Sequence, residues 1–233
     1  MEVVMKKLAK FMLAVVTGIA FTVSVAFAGD LPFSGFLGNP GVYDQLTPGP
    51  EGGAKLRWLK PGVNFGEYDK FMVDSVIFYL ADQSEYKGID PQEMKDLADS
   101  FNKELVDALK YKYTIVTEPG PNVARIRVAI TNIKASKPGM SAVTSIVPIG
   151  LGISVIKKGA GGGWSGGGET CAELMVLDSS SNEVIAMAVD QQKAAFSSRF
   201  SKYGSANDAF KFWSGRLVTF LDEAKGIKKE PVK

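Results

Sequence analysis

The sequence predicts a two-layer α+β fold, in which a largely antiparallel sheet carries two amphipathic helices on one face and an irregular N-terminal arm is added. Three observations predict it. Short segments rich in β-branched and aromatic residues are separated by turn-forming residues. Two longer segments repeat apolar residues at helical spacing. Their order, β-α-β-β, a break, then β-β-α, is typical of helices packed on one side of a sheet.

The first helix has the clearest local signals. Asp90 is an N-cap residue, Pro91 stands at the first helical position, and Glu93 completes a capping box. We expect this helix to run from about Pro91 to Lys110. One apolar stripe then follows at spacings of three and four: Met94, Leu97, Phe101, Leu105 and Leu109.

The last helix is predicted to begin near Ser205 and to stop at Gly226, since glycine commonly ends a helix. Its apolar side is expected to face the sheet. That side holds Ala209, Phe212, Trp213, Leu217, Phe220, Leu221 and Ala224.

The strands are predicted as one single strand and two hairpins. The single strand is 71–79, and the first hairpin joins 113–117 to 123–134 through residues rich in Pro and Gly. The second hairpin joins 170–177 to 184–190. Within 123–134, apolar side chains alternate with Arg125 and Arg127, which predicts one buried and one wet face.

The first 28 residues are typical of a secretory signal peptide. A basic start precedes an uncharged apolar run, and Ala26-Phe27-Ala28 matches a cleavage site. We expect an exported protein of the periplasm or cell envelope. Residues 29–233 then hold 24 basic and 24 acidic residues. This balance argues against a nucleic-acid partner, whose binding depends on clustered Lys and Arg.

The predicted organisation after the signal peptide is an arm, a domain and a tail. The arm, 29–66, is rich in Gly and Pro but carries large apolar side chains, so we expect it to pack on the domain or on a partner. The α+β domain is 67–226, with an insertion at 138–168, and 227–233 is a solvated tail.

The insertion contains an apolar, uncharged segment, 142–156, followed by a glycine-rich run. Three interpretations stay open: a buried strand or hairpin, a surface that contacts a membrane or a second copy, and a ligand loop. As an interaction loop it would act through its large apolar side chains: Ile146, Val147, Ile149, Leu151, Ile153 and Trp164.

The composition excludes several chemistries. There is no histidine and a single cysteine, Cys171, which rules out an intramolecular disulfide and the usual zinc sites. The G-x-S-x-G pattern at 163–167 lacks a histidine base. The overlapping glycine pattern at 161–166 precedes a predicted strand rather than a helix, so no dinucleotide site is expected. We predict no cofactor, no metal site, and a buried, unreactive Cys171.

Carboxylates are the remaining route to an active site, because they assemble in space rather than in sequence. We expect each of them to be solvated or to cap an element. The candidates are Asp69, Asp74, Glu169, Glu173 and Asp190.

The segment Ser34–Tyr79 resembles the bacterial family called domain of unknown function 3313. The resemblance is carried by the SGFLG opening, by Tyr43 and Leu46 in a Tyr-x-x-Leu spacing, by a Leu-Arg-aromatic step at 56–58, and by the Tyr-Asp-Lys entry to the first strand. It implies an envelope location and no established activity. Members have a lipobox cysteine at the cleavage site, where this chain has Ala28-Gly29-Asp30. We therefore expect an unlipidated form.

The favoured hypothesis is a non-enzymatic envelope protein that binds or assembles, with itself or with an envelope partner. One alternative is a membrane-surface protein that inserts 142–156 into lipid. Another is a carboxylate enzyme or a binder of a small ligand or glycan.

Overall fold

The computed structural model describes residues 34–80, 89–134, 169–193 and 203–227. The signal peptide with Ala26 and Ala28, the interaction-loop residues, and the 163–167 pattern lie outside these ranges. Among the helices that are described, none is both long and apolar enough to cross a membrane.

The described strands form one mixed sheet, in the order β1-β2-β8-β7-β6-β3-β5, with β4 beside β6. The pairs β1–β2, β2–β8, β8–β7 and β7–β6 are antiparallel. In contrast, β3 and β4 each pair in parallel with β6, and β5 pairs in parallel with β3. The α+β class is confirmed. The strands are β1 (Thr47–Pro48), β2 (Leu56–Leu59), β3 (Lys70–Val73), β4 (Ile77–Phe78), β5 (Thr114–Ile115), β6 (Val123–Lys134), β7 (Glu169–Asp178) and β8 (Val184–Lys193).

The helices are α1 (Pro40–Tyr43), α2 (Pro91–Lys110) and α3 (Gly204–Ala224), and Phe65–Glu67 forms a 3-10 turn. The predicted bounds of α2 are confirmed. Its N-cap is also confirmed, because the Asp90 carboxylate accepts the N–H of Gln92 at 2.8 Å. Gly226 ends α3 with a φ of 69°, a conformation that glycine adopts without strain.

The first predicted hairpin is wrong. β5 and β6 are not neighbours, because β3 lies between them and pairs in parallel with both. The Pro/Gly-rich connection therefore joins two strands that are separated by β3, and it does not form a hairpin turn. The second hairpin is confirmed as β7 and β8.

The predicted strand 71–79 is interrupted. Val73 stands opposite Ile126 while Ile77 stands opposite Ala129, so the β3–β4 side has one residue more than β6. An extra residue of this kind bends the strand. Asp74 lies at the break, where its carboxylate accepts from Arg125 Nε at 2.8 Å and lies 3.5 Å from Arg127 Nε.

The main core lies between the sheet and the two long helices, which share one face as predicted. Phe101 of α2 stacks on Phe210 of α3, with ring centroids 4.4 Å apart. Phe210 is fully buried and joins the predicted apolar side of α3, whereas Phe212 is 38% exposed. The buried side of α3 is thus rotated toward Phe210, relative to the predicted apolar side.

The opposite face of the sheet is covered by the N-terminal arm. Leu37 is buried in a second apolar cluster with Met175 and Met187, and Phe36 packs against it. The arm also contributes β2, which pairs with β8. The density of Gly and Pro gave no indication of this strand.

Candidate functional site

Two buried carboxylates occupy opposite faces of the sheet. Glu173 of β7 is fully buried under the arm, and Asp190 of β8 is 4% exposed on the helix face. The prediction that both are solvated or capping is wrong. Their strands are direct neighbours, but the partner of Glu173 in the ladder is Val189, so the two side chains point to different layers.

On the arm face, Tyr43 anchors the arm to the sheet. Its hydroxyl donates to Glu173 Oε2 at 2.5 Å. The hydroxyl oxygen of Tyr43 in turn accepts the N–H groups of Gly35 at 3.1 Å and Leu37 at 3.3 Å. One phenol therefore fixes residues 35–43 over the middle of β7.

This contact changes the acidity of both partners. Burial, together with the hydrogen bond to Glu173, raises the pKa of Tyr43 to about 12. Burial also raises the pKa of Glu173 above its usual 4.5, because lost hydration outweighs the hydrogen bonds from Tyr43 and Ser34. Glu173 is enclosed by the fold, so we assign it to anchoring the arm.

On the helix face, a cavity of about 150 Å³ lies between α3 and the sheet. We call it the α3 cavity. On the sheet side, the lining includes three small side chains, Ala172 of β7 and Ala186 and Ala188 of β8, and we call these the floor. In the ladder, Ala188 stands opposite Leu174 and Ala186 opposite Val176, which also line the cavity. Trp213 and Phe220 of α3 form the opposite wall. The cavity is therefore predominantly apolar.

α3 is bonded to other elements near both of its ends, and small side chains of the sheet lie beneath its middle. At the start, the Tyr203 hydroxyl donates to Glu93 Oε2 of α2 at 3.0 Å. Near the end, the Asp222 carboxylate accepts from Lys112 Nζ at 2.6 Å and from the Tyr113 hydroxyl at 2.9 Å. Collapse of the helix onto the floor would break these bonds.

Asp190 orients the cavity wall. Its Oδ2 accepts from Trp213 Nε1 at 2.6 Å and from Gln192 Nε2 at 2.7 Å. Its Oδ1 accepts the N–H of Lys55 at 2.9 Å, which ties the arm to the same point. The carboxylate is thereby supplied with donors from three directions, as a buried charge requires.

Two arginines also line the cavity. Arg57 extends from β2, next to Ala188 in the ladder, and Arg216 extends from α3. Both are partly buried. They add positive charge to a lining that is otherwise almost entirely apolar.

The remaining candidate carboxylates lie apart from this cavity. Asp74 is paired with Arg125, Glu169 accepts from Gln191 Nε2 at 2.7 Å, and the Asp69 carboxylate lies 3.9 Å from Lys70 Nζ. Within the four described ranges, no group of three or more His, Cys, Asp or Glu side chains is arranged to hold a metal ion.

Cys171 is fully buried in β7, as predicted. Burial raises the pKa of its thiol to about 12. The thiolate, which is the reactive form, is therefore scarce at neutral pH.

Sequence reasoning missed the α3 cavity. It requires that three alanines from two strands meet under one helix, and this depends on the β7–β8 register. The only usable signal was the alternation of small residues, Ala186 and Ala188, along a strand otherwise rich in larger side chains.

Comparison with known proteins defines the family. The model of the family described as "Protein of unknown function (DUF3313)" matches residues 32–217. The chain therefore belongs to this family, which confirms the resemblance seen at Ser34–Tyr79.

Relatives and solved structures add context. The uncharacterized lipoprotein YdcL of Escherichia coli K12 is 26% identical over 131 residues, which cover 55% of this chain and 57% of that relative. The PelC dodecamer from Paraburkholderia phytofirmans has a TM-score of 0.39 at 11% identity, covering 69% of this chain and 96% of that one. Protein XCC0632 from Xanthomonas campestris, of family DUF330, has a TM-score of 0.37 at 10% identity, covering 66% and 84%. Likenesses this weak carry no functional information.

Proposed function

We propose that this member of the DUF3313 family is an exported cell-envelope protein that acts as a binding module, with the α3 cavity as its ligand site. The observation that carries the proposal is the cavity itself, an apolar space of about 150 Å³ between a tethered helix and an alanine floor. In another protein, an engineered apolar cavity of about this volume binds benzene.

The envelope location is supported by the signal-like N-terminus and by the name of the E. coli relative. The match covers only part of that relative, so its attachment to lipid does not transfer. The sole cysteine, Cys171, is buried in β7, and Ala28-Gly29 stands at the expected cleavage site. An unlipidated protein remains our proposal.

A binding role is favoured over carboxylate chemistry by the separation of the acidic groups. Acid–base catalysis needs its groups within reach of one substrate. Glu173 lies on the arm face, and both oxygens of Asp190 are already hydrogen-bonded. The polar groups of the cavity are therefore better suited to orienting a ligand than to proton transfer.

Filling the floor of the cavity is expected to abolish binding. Ala188→Leu places a larger side chain into the space, and Ala188 is only partly buried, so the fold can accommodate the change. Isothermal titration calorimetry with hexan-1-ol and hexanoate should show binding to the wild-type protein and a loss of at least about tenfold in the variant.

Ala188→Gly is the matched control, because it leaves the space open and should keep binding within about threefold. Circular dichroism verifies that both variants are folded. Undiminished binding to a folded Ala188→Leu variant would refute the α3 cavity as the ligand site.

A further inference from the structure

We infer that the ligand of the α3 cavity is a small anionic amphiphile, whose apolar part fills the cavity and whose anionic group is bound by Arg57 and Arg216. This inference rests on the proposed function and adds the chemical class of the ligand.

The first step is the position of the two arginines in the fold. Arg57 lies on β2 beside Ala188, at the side of the floor that faces the edge of the sheet. Arg216 lies on α3 between Phe212 and Phe220, each one turn away, and all three line the cavity. One arginine therefore comes from each layer of the cavity.

The second step is the availability of their donors. Within the described ranges, the Arg57 side chain has no hydrogen bond or ion pair. Arg216 has one loose contact, 3.7 Å from its Nη1 to Glu223 Oε1, and that glutamate side chain is 55% exposed. A guanidinium presents five N–H donors. Most of these donors are free to bind an anion.

The other described arginines behave differently. Arg125 and Arg127 lie on the arm face of β6, and both are committed to Asp74. Arg127 also lies over the ring of Phe36 at 5.7 Å. Of the cavity-lining pair, Arg57 has no carboxylate partner within the described ranges, and Arg216 has only the contact with the exposed Glu223.

The third step is the sign of the charge in the cavity. Asp190 and Glu173 are the acidic residues of the lining, and the Glu173 carboxylate is bound to Tyr43 on the arm face. The oxygens of Asp190 are occupied by the Lys55 backbone N–H and by the Gln192 and Trp213 side chains. Asp190 therefore has no free oxygen to offer to a cation. Two guanidinium groups against one satisfied carboxylate favour an anion, and guanidinium pairs well with carboxylate and phosphate.

The last step is size. A volume of about 150 Å³ holds an apolar group of about six carbons, the size of benzene. The expected ligand is therefore a carboxylate or phosphate monoester that carries an aryl group or a short alkyl chain, or presents the end of a longer one.

Calorimetric titration with four six-carbon compounds that differ in their polar group tests this inference. We expect hexanoate or hexyl phosphate to bind at least about tenfold more tightly than hexan-1-ol, and hexylamine to bind most weakly. The tighter of the two anions identifies the headgroup. In the Arg57→Gln, Arg216→Gln double variant, the anions should fall to the affinity of hexan-1-ol, whose own affinity should be unchanged.

Arg127→Gln is the matched control, because it removes an arginine from the opposite face and should leave all four affinities unchanged. If the anion and the alcohol bind equally to the wild-type protein, the inference is overturned while the apolar binding site stands. If the double variant keeps the full preference for anions, the assignment to these two arginines is overturned. If none of the four compounds binds, the proposed function fails as well.

Discussion

Replacing Phe210 with alanine is expected to destabilise the protein by about 3–5 kcal/mol, the usual cost of removing a buried phenylalanine. Phe210 has no exposed surface and stacks on Phe101, with an angle of 6° between the rings. Its loss leaves a hole where α2, α3 and the sheet meet, and tethered helices cannot close it. Urea unfolding followed by circular dichroism measures the effect.

Phe212→Ala is the matched control on the same helix. This ring is 38% exposed, so its removal should cost no more than about 1 kcal/mol. Equal losses for the two variants would contradict the orientation of α3, and with it the position of the α3 cavity.

Replacing Tyr43 with phenylalanine is expected to destabilise the protein by about 2–3 kcal/mol, because a buried carboxylate and two backbone N–H groups lose their partner. The part of the loss due to Glu173 should be recovered in the Tyr43→Phe, Glu173→Met double variant, since no unsatisfied charge is left, whereas the Gly35 and Leu37 N–H groups stay without the hydroxyl. The free energy of unfolding of all four proteins completes the double-mutant cycle. Additive losses would contradict the Tyr43–Glu173 contact.

The same contact predicts an unusual pH dependence. The pKa of Glu173 is raised in the folded protein, so above pH 4.5 the folded state binds more protons at this site than the unfolded state. Stability from this group therefore falls as pH rises from 4.5 through the folded-state pKa. Glu173→Gln keeps an acceptor for Tyr43 but cannot ionise, so its stability relative to wild type should increase over this range. A constant difference across the range would contradict the raised pKa.

The local elements could be predicted because their signals are local. Asp90, Pro91 and the stripe from Leu97 to Leu109 determine α2 without reference to the rest of the chain. The β7–β8 hairpin follows in the same way from two apolar runs around a polar turn. Gly226 ends α3 because glycine readily adopts the positive φ that is found at this position.

The errors concern contacts between distant segments. The first hairpin failed because β3, which precedes α2, lies between β5 and β6, and no local signal encodes such an insertion. The prediction of a solvated or capping Glu173 fails because the residues that cover it, 34–43, lie 130 or more positions earlier in the chain. The α3 cavity was missed for the same reason, since Arg57 and Arg216 meet it from opposite layers.

The insertion at 138–168, which holds the interaction-loop residues, lies outside the described residues. Its contacts with a second copy, an envelope partner or a membrane surface therefore remain predictions. The binding function proposed for the α3 cavity does not depend on them, because the lining comes from β2, β6, β7, β8, the arm loop at 50–54 and the two long helices.

The central claim is that a small ligand occupies the α3 cavity, and alanine methyl groups report on it directly. Protein purified from the cell envelope and labelled with ¹³C at alanine methyls would be titrated with hexanoate and followed by nuclear magnetic resonance. We predict saturable shifts at Ala172, Ala186 and Ala188, which form the floor, and none at Ala129 or Ala206, which are buried elsewhere. Unchanged floor methyls at saturating hexanoate, or equal shifts at Ala129 and Ala206, would contradict the account.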